Sequence, residues 1–152
     1  MKRNRKWTDW AKQPYMMCVA FLVRLGNMCG LTYKQISVVL NLWIQGGVLL
    51  LTGWTPFIIA LWRLPGNPSY KDYSLIAVLA LYGIIYLMGF VWMLRHYRLP
   101  FNRAFSICVS DLQILAAKWG VTYQVVNLFI LVFLFLAIII INFFMGYLAI
   151  TL

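Results

Sequence analysis

Glutamate is absent from all 152 residues of this chain, and its only acids are Asp9, Asp72 and Asp111. Charge of either sign is scarce. Only 11% of residues are charged, where a soluble domain carries about 25%. An ordinary water-facing surface is therefore excluded. Histidine occurs once, at His96, and cysteine three times, at Cys18, Cys29 and Cys108. No C-x-x-C pair is formed, and no partner stands at zinc-ligand spacing, so neither a metal nor a cofactor is expected. A catalytic base needs an orienting group. His96 lies between Arg95 and Arg98 with no acid close in sequence, and it reads as an interfacial anchor. The chain is expected to be non-enzymatic.

What is abundant is apolar. Hydrophobic residues make up 64% of the chain, and residues 35–62, 73–94 and 119–152 hold no charged side chain. About 20 helical residues cross a bilayer core of roughly 30 Å. The fold class read from this pattern is an all-α integral membrane protein with three transmembrane helices, at 34–62, 73–94 and 121–151. Residues 1–152 are read as one membrane domain. Glycines and Pro56 are tolerated inside the first span when neighbours satisfy freed carbonyls, and a kink is expected near Gly53–Pro56. Arg63–Pro68 reads as a tight turn with Gly66 at positive φ.

Two shorter segments are too interrupted to span. Residues 14–30 are apolar only as far as Arg24, which suits an interfacial helix. Within 104–119, Phe105, Cys108, Val109, Leu112, Leu115, Ala116 and Trp119 recur at spacings of three and four, the signature of an amphipathic helix. Residues 1–13 read as a retained basic tail, because no apolar run follows the first lysines and arginines directly.

The cations give a direction. Lys2, Arg3, Arg5, Lys6, Lys12, Arg24 and Lys34 precede the first span, and Arg95, Arg98, Arg103 and Lys118 lie between the second and third. Only Arg63 and Lys71 lie between the first and second. Cytoplasmic loops hold such an excess. The N-terminus and both amphipathic helices are therefore expected inside and the C-terminus outside, with a bacterial-type inner membrane as the expected location. Basic residues at membrane edges point to anionic headgroups as partners, and Arg95, Arg98 and Arg103 are the candidate lipid or partner contacts. Nucleic acid is not an expected partner: a turn at 115–122 has the look of a DNA-reading helix-turn-helix, but the helix after it is apolar throughout.

An internal resemblance runs through the chain. Seven of sixteen positions are identical between residues 18–33 and 108–123, including Cys18-Val19 with Cys108-Val109 and Thr32-Tyr33 with Thr122-Tyr123. Each copy precedes a helix leaving the inner surface, as a parallel repeat about an axis along the membrane normal requires. In each copy the glycine, Gly30 or Gly120, is expected to end a surface helix in left-handed conformation. Thr32 or Thr122 should cap the next helix.

No intramembrane charge is available for ion coupling. The polar residues of the spans are Asn41 and Gln45, then Gln124 and Asn127, then Asn142, and with Gly46 and Gly47 they read as helix-packing positions. These features fit a scaffold or accessory subunit of a membrane complex, assembling as a homo- or hetero-oligomer. A homo-oligomeric pore or membrane-disrupting effector of the lysis or defence type is the alternative.

Overall fold

The computed structural model describes residues 9–151. Residues 1–8, which hold most of the basic tail, and Leu152 lie outside the described residues. All regular structure among the described residues is helical, in five helices. A short 3₁₀ turn, Asp9–Ala11, leads into α1, Lys12–Cys29. Helix α2 is Tyr33–Trp62, α3 is Tyr70–His96, α4 is Phe101–Trp119 and α5 is Tyr123–Thr151. Helices α2, α3 and α5 are each long and apolar enough to cross a membrane.

The chain divides into two compact units: residues 9–43 with 97–134, and residues 44–96 with 135–151. In the first unit, α1 and α4 stop in the same way. Gly30 and Gly120 both sit at φ 68, the only positive-φ glycines among the described residues. The next residues, Leu31 and Val121, donate back to Gly26 O and Ala116 O at 2.8 and 3.1 Å, closing the wide ring of a Schellman end. A side chain is strained at such a φ, so glycine stands at both stops. Gly66, expected at positive φ, is not among them. The 63–69 connection is an open loop, because its two prolines already fix its course without a left-handed residue.

The helix starts differ. Thr32 forms a capping box: its hydroxyl accepts from Gln35 N at 3.4 Å, and Gln35 Oε1 accepts from Thr32 N at 2.9 Å. Thr122 has the same extended backbone but makes no side-chain cap, against expectation. Position 125 is valine, which cannot reach back, and the Thr122 hydroxyl is buried without a partner.

Neither α2 nor α5 is a uniform α-helix. Each opens into a π-helical stretch, Val39–Ile44 in one and Phe129–Leu134 in the other, at corresponding positions 90 residues apart. A π turn carries an extra residue per hydrogen-bonded ring. The helix Gln45–Trp62 continues through Pro56, which is buried.

In the second unit α3 lies antiparallel to α2. A Cβ on Gly53 would fall 2.5 Å from Tyr86 Cγ, one on Gly83 2.9 Å from Trp54, and one on Gly46 2.7 Å from the Met93 methyl. Glycine at these sites is what lets the two backbones approach. Helix α5 runs beside α2 in the same direction, since Thr52 meets Asn142 and Ala60 meets Ala149. The core at that end is Ala60, Leu79 and Ala149, enclosed by Phe57, Leu75 and Met145.

Candidate functional site

Among the described residues the most buried polar one is Asn142, 1% exposed. In an apolar bundle an unpartnered carboxamide is costly, and here its hydrogen bonds are met by two other helices. Asn142 Nδ2 donates to Thr52 Oγ1 at 2.9 Å. Thr52 accepts there because its own proton goes to Val48 O at 2.9 Å. Asn142 Oδ1 accepts from Tyr82 OH at 2.6 Å and from Tyr86 OH at 2.7 Å. The two tyrosine oxygens stand 3.1 Å apart. Two protons cannot serve all three contacts, so when both point at Asn142 the oxygens merely lie side by side. One side chain from α5 thus ties α2 and α3 together.

The other glycines and polar residues of the spans take varied positions. Gly46 faces α3, whereas a Cβ on Gly47 meets nothing within 4 Å. Asn41, Gln45, Gln124 and Asn127 are half-buried. Asn127 Nδ2 donates to Tyr123 OH at 3.1 Å within its own helix. Asn41 and Asn127 line a gap of about 20 Å³ beside the buried, unpartnered hydroxyl of Ser37, which is room for one water.

Rings lock the first unit. Tyr15 meets Tyr123 edge-on at 6.1 Å, and Tyr33 meets Phe105 edge-on at 5.9 Å. Positions 15 and 105 correspond at the same 90-residue offset, as do 33 and 123. The two contacts are therefore one contact made reciprocally. Tyr97 OH donates to Asp111 Oδ2 at 3.0 Å. Burial, then that bond, holds the phenol above its usual value. Burial, with Asp111 adding to it, pushes the Cys108 thiol up to about 11. Cys18 and Cys29 are exposed.

Arg95, Arg98 and Arg103 are all exposed. His96 is stacked on Trp92 at 4.9 Å. At the opposite end of the second unit Arg63 donates to the carbonyl of Ile150 in the last turn of α5. Asp72 accepts from Ser69 N at 2.6 Å at the start of α3. Among the described residues no group of three or more histidine, cysteine or acidic side chains is placed to hold a metal ion. No protein-family model, no curated protein and no solved structure matches this chain.

Thr52, Tyr82 and Tyr86 were not singled out by sequence reasoning. Tyr82 and Tyr86 stand four apart, on one face of the charge-free stretch 73–94, and asking what could satisfy a deep asparagine would have found them.

Proposed function

We propose that this chain is a non-enzymatic integral membrane subunit, a scaffold or accessory part of a larger membrane complex, built from two copies of one surface helix followed by one span. The observation that carries the reading is the cluster around Asn142. Thr52, Tyr82, Tyr86 and Asn142 are hydrogen-bonded to one another across three helices, which holds a bundle together and turns these four groups inward. A homo-oligomeric pore asks for a polar stripe facing a lumen, and it draws no support from polar groups turned inward.

Duplication is supported by features that share one offset. The left-handed stops, the threonine starts, the π stretches and the reciprocal ring pairs all correspond. Thr52 and Asn142, themselves corresponding positions, touch each other, as residues on a two-fold axis do.

In this reading α1 and α4 lie on the cytoplasmic surface. Supporting it in α4, buried Ala104, Leu112 and Ala116 with half-buried Cys108 recur every fourth residue, while Arg103, Ser106, Ser110, Gln113 and Lys118 are exposed. Arg95, Arg98 and Arg103 then face anionic headgroups or an acidic partner. Expressed alone, the protein is expected to leave growth and membrane potential unchanged and to purify without forming a ring of defined size. Collapse of the potential together with such a ring would give the function to the pore.

A further inference from the structure

Duplication gives the first half three helices, α1, α2 and α3, and the second half only two, α4 and α5. Helix α3 therefore has no counterpart, and its seat should occur twice.

The occupied seat is defined by contacts. From α5, Asn142 bonds to α3, and Met145 and Ala149 share a cluster with its Leu79; from α2, Gly46, Gly53 and Trp54 lie against α3, and Phe57, Ile59 and Ala60 share that cluster. Moving the three α5 residues back by 90 positions gives Thr52, Thr55 and Ile59, and moving Gly53, Phe57 and Ala60 forward gives Phe143, Tyr147 and Ile150. These six line one groove of about 250 Å³ between α2 and α5 to which α3 contributes no residue, while Leu136, Phe144 and Ala149, the counterparts of Gly46, Trp54 and Ile59, lie outside it.

We infer that this groove is a docking seat for a transmembrane helix of another polypeptide, lying antiparallel to α2 and α5 as α3 does. This rests on the duplication proposed above. The chemistry of the occupant follows from how the second seat differs from the first. At the first seat α2 supplies a glycine, Gly53, and α3 supplies the Tyr86 ring. At the second, the position of Gly53 is taken by Phe143, 66% exposed. The incoming helix must be small there. The threonine hydroxyls are committed to backbone carbonyls of their own helix, Thr52 to Val48 and Thr55 to Leu51. The seat thus offers bulk and apolar surface, and suits an apolar helix with glycine, alanine or serine along the contact. A second copy of this chain is a poor occupant. The outward face of α3 carries Leu81, Ile85 and Met88, all well exposed and bulky.

The test uses the full chain with Cys18, Cys29 and Cys108 replaced by serine. It is co-expressed with a probe, a separate helix of residues 68–98 carrying Tyr86→Gly and Leu79→Cys. Arg95 and Arg98 orient the probe as they orient α3. Leu79 packs in one cluster with Phe57 in the occupied seat, and Tyr147 is the counterpart of Phe57. Oxidative cross-linking of the probe to Tyr147→Cys is expected to exceed that to Ile141→Cys, elsewhere on α5, by about tenfold. It should fall toward that control when the probe keeps Tyr86. Equal yields at the two positions would leave the groove to lipid and overturn the inference. So would dimers of the full chain linked through Tyr147→Cys, which would assign the seat to a second copy. An internal control separates this outcome from failure of the duplication. Ala60→Cys should cross-link to Ala149→Cys within one chain, because those residues pack together. If that link fails, the parallel pairing and the repeat fall. If it forms and the probe does not dock, only the docking inference falls.

Discussion

Asn142 is worth more than its single position suggests, because it meets Thr52, Tyr82 and Tyr86 at once. Leucine has nearly its shape and none of its hydrogen bonds. Asn142→Leu is expected to lower the unfolding free energy by about 1–2 kcal/mol, read by denaturant titration in detergent. Tyr86→Phe should cost less, since Tyr82 remains on Oδ1 and no buried acceptor is stranded. A second residue-level consequence concerns thiols. Cys108 is half-buried and pushed up to about 11, while Cys18 and Cys29 are exposed. Only the thiolate reacts. At pH 8, maleimide labelling followed by intact mass should therefore reach Cys18 and Cys29 first, with Cys108 slower by about 100-fold than a free thiol. Raising the pH through 9–11 should bring Cys108 in. The sign for stability is fixed as well. The folded-state value lies above the unfolded one, so the contribution is full below about 9 and is lost as pH rises toward 11, where the unfolded thiol ionises first.

At the scale of elements, the two helix starts differ in one replaceable residue. Thr32 has Gln35 to complete its box, and Thr122 has Val125 in the same place. Val125→Gln should let Oε1 accept from the Thr122 backbone N–H and give that buried hydroxyl a neighbour. The expected gain is about 0.5–1 kcal/mol, measured as a rise in unfolding midpoint, with Val125→Ala as the control that cannot cap. The left-handed stops were legible from the sequence because glycine before a threonine start has few other uses. The three spans were legible from missing charge alone. The π stretches were not. Val39–Ile44 and Phe129–Leu134 are apolar but for Asn41, and nothing in their residue types marks a widened turn. Arg63 escaped in the same way. Its bond to the Ile150 carbonyl joins residues far apart in the chain, and a stop-signal arginine looks alike whether it meets water or a helix end.

For the whole molecule, a two-fold axis along the membrane normal and an axis in the membrane plane make opposite demands. The first needs α2 and α5 to cross in the same direction; the second needs them to cross oppositely. The contacts already choose a sense. Thr52 pairs with Asn142, and eight residues further along α2, Ala60 packs with Ala149, so sequence number rises together along both helices. Under the proposed three crossings, two spans in one direction with α3 returning put the two ends of the chain on opposite sides of the membrane. The proposed orientation puts the Arg95–Arg103 connection and the basic segment before α2 on the cytoplasmic side, where cations are in excess. A fluorescent protein that matures only in the cytoplasm should glow when fused ahead of Met1 and stay dark after Leu152, and alkaline phosphatase should give the reverse. A fluorescent protein that glows at both ends, or a phosphatase active at both, would mean an even number of crossings. One of the three spans would then lie in the interface, the pairing of Thr52 with Asn142 could not bring two parallel crossings together, and the repeat would reduce to two similar corners.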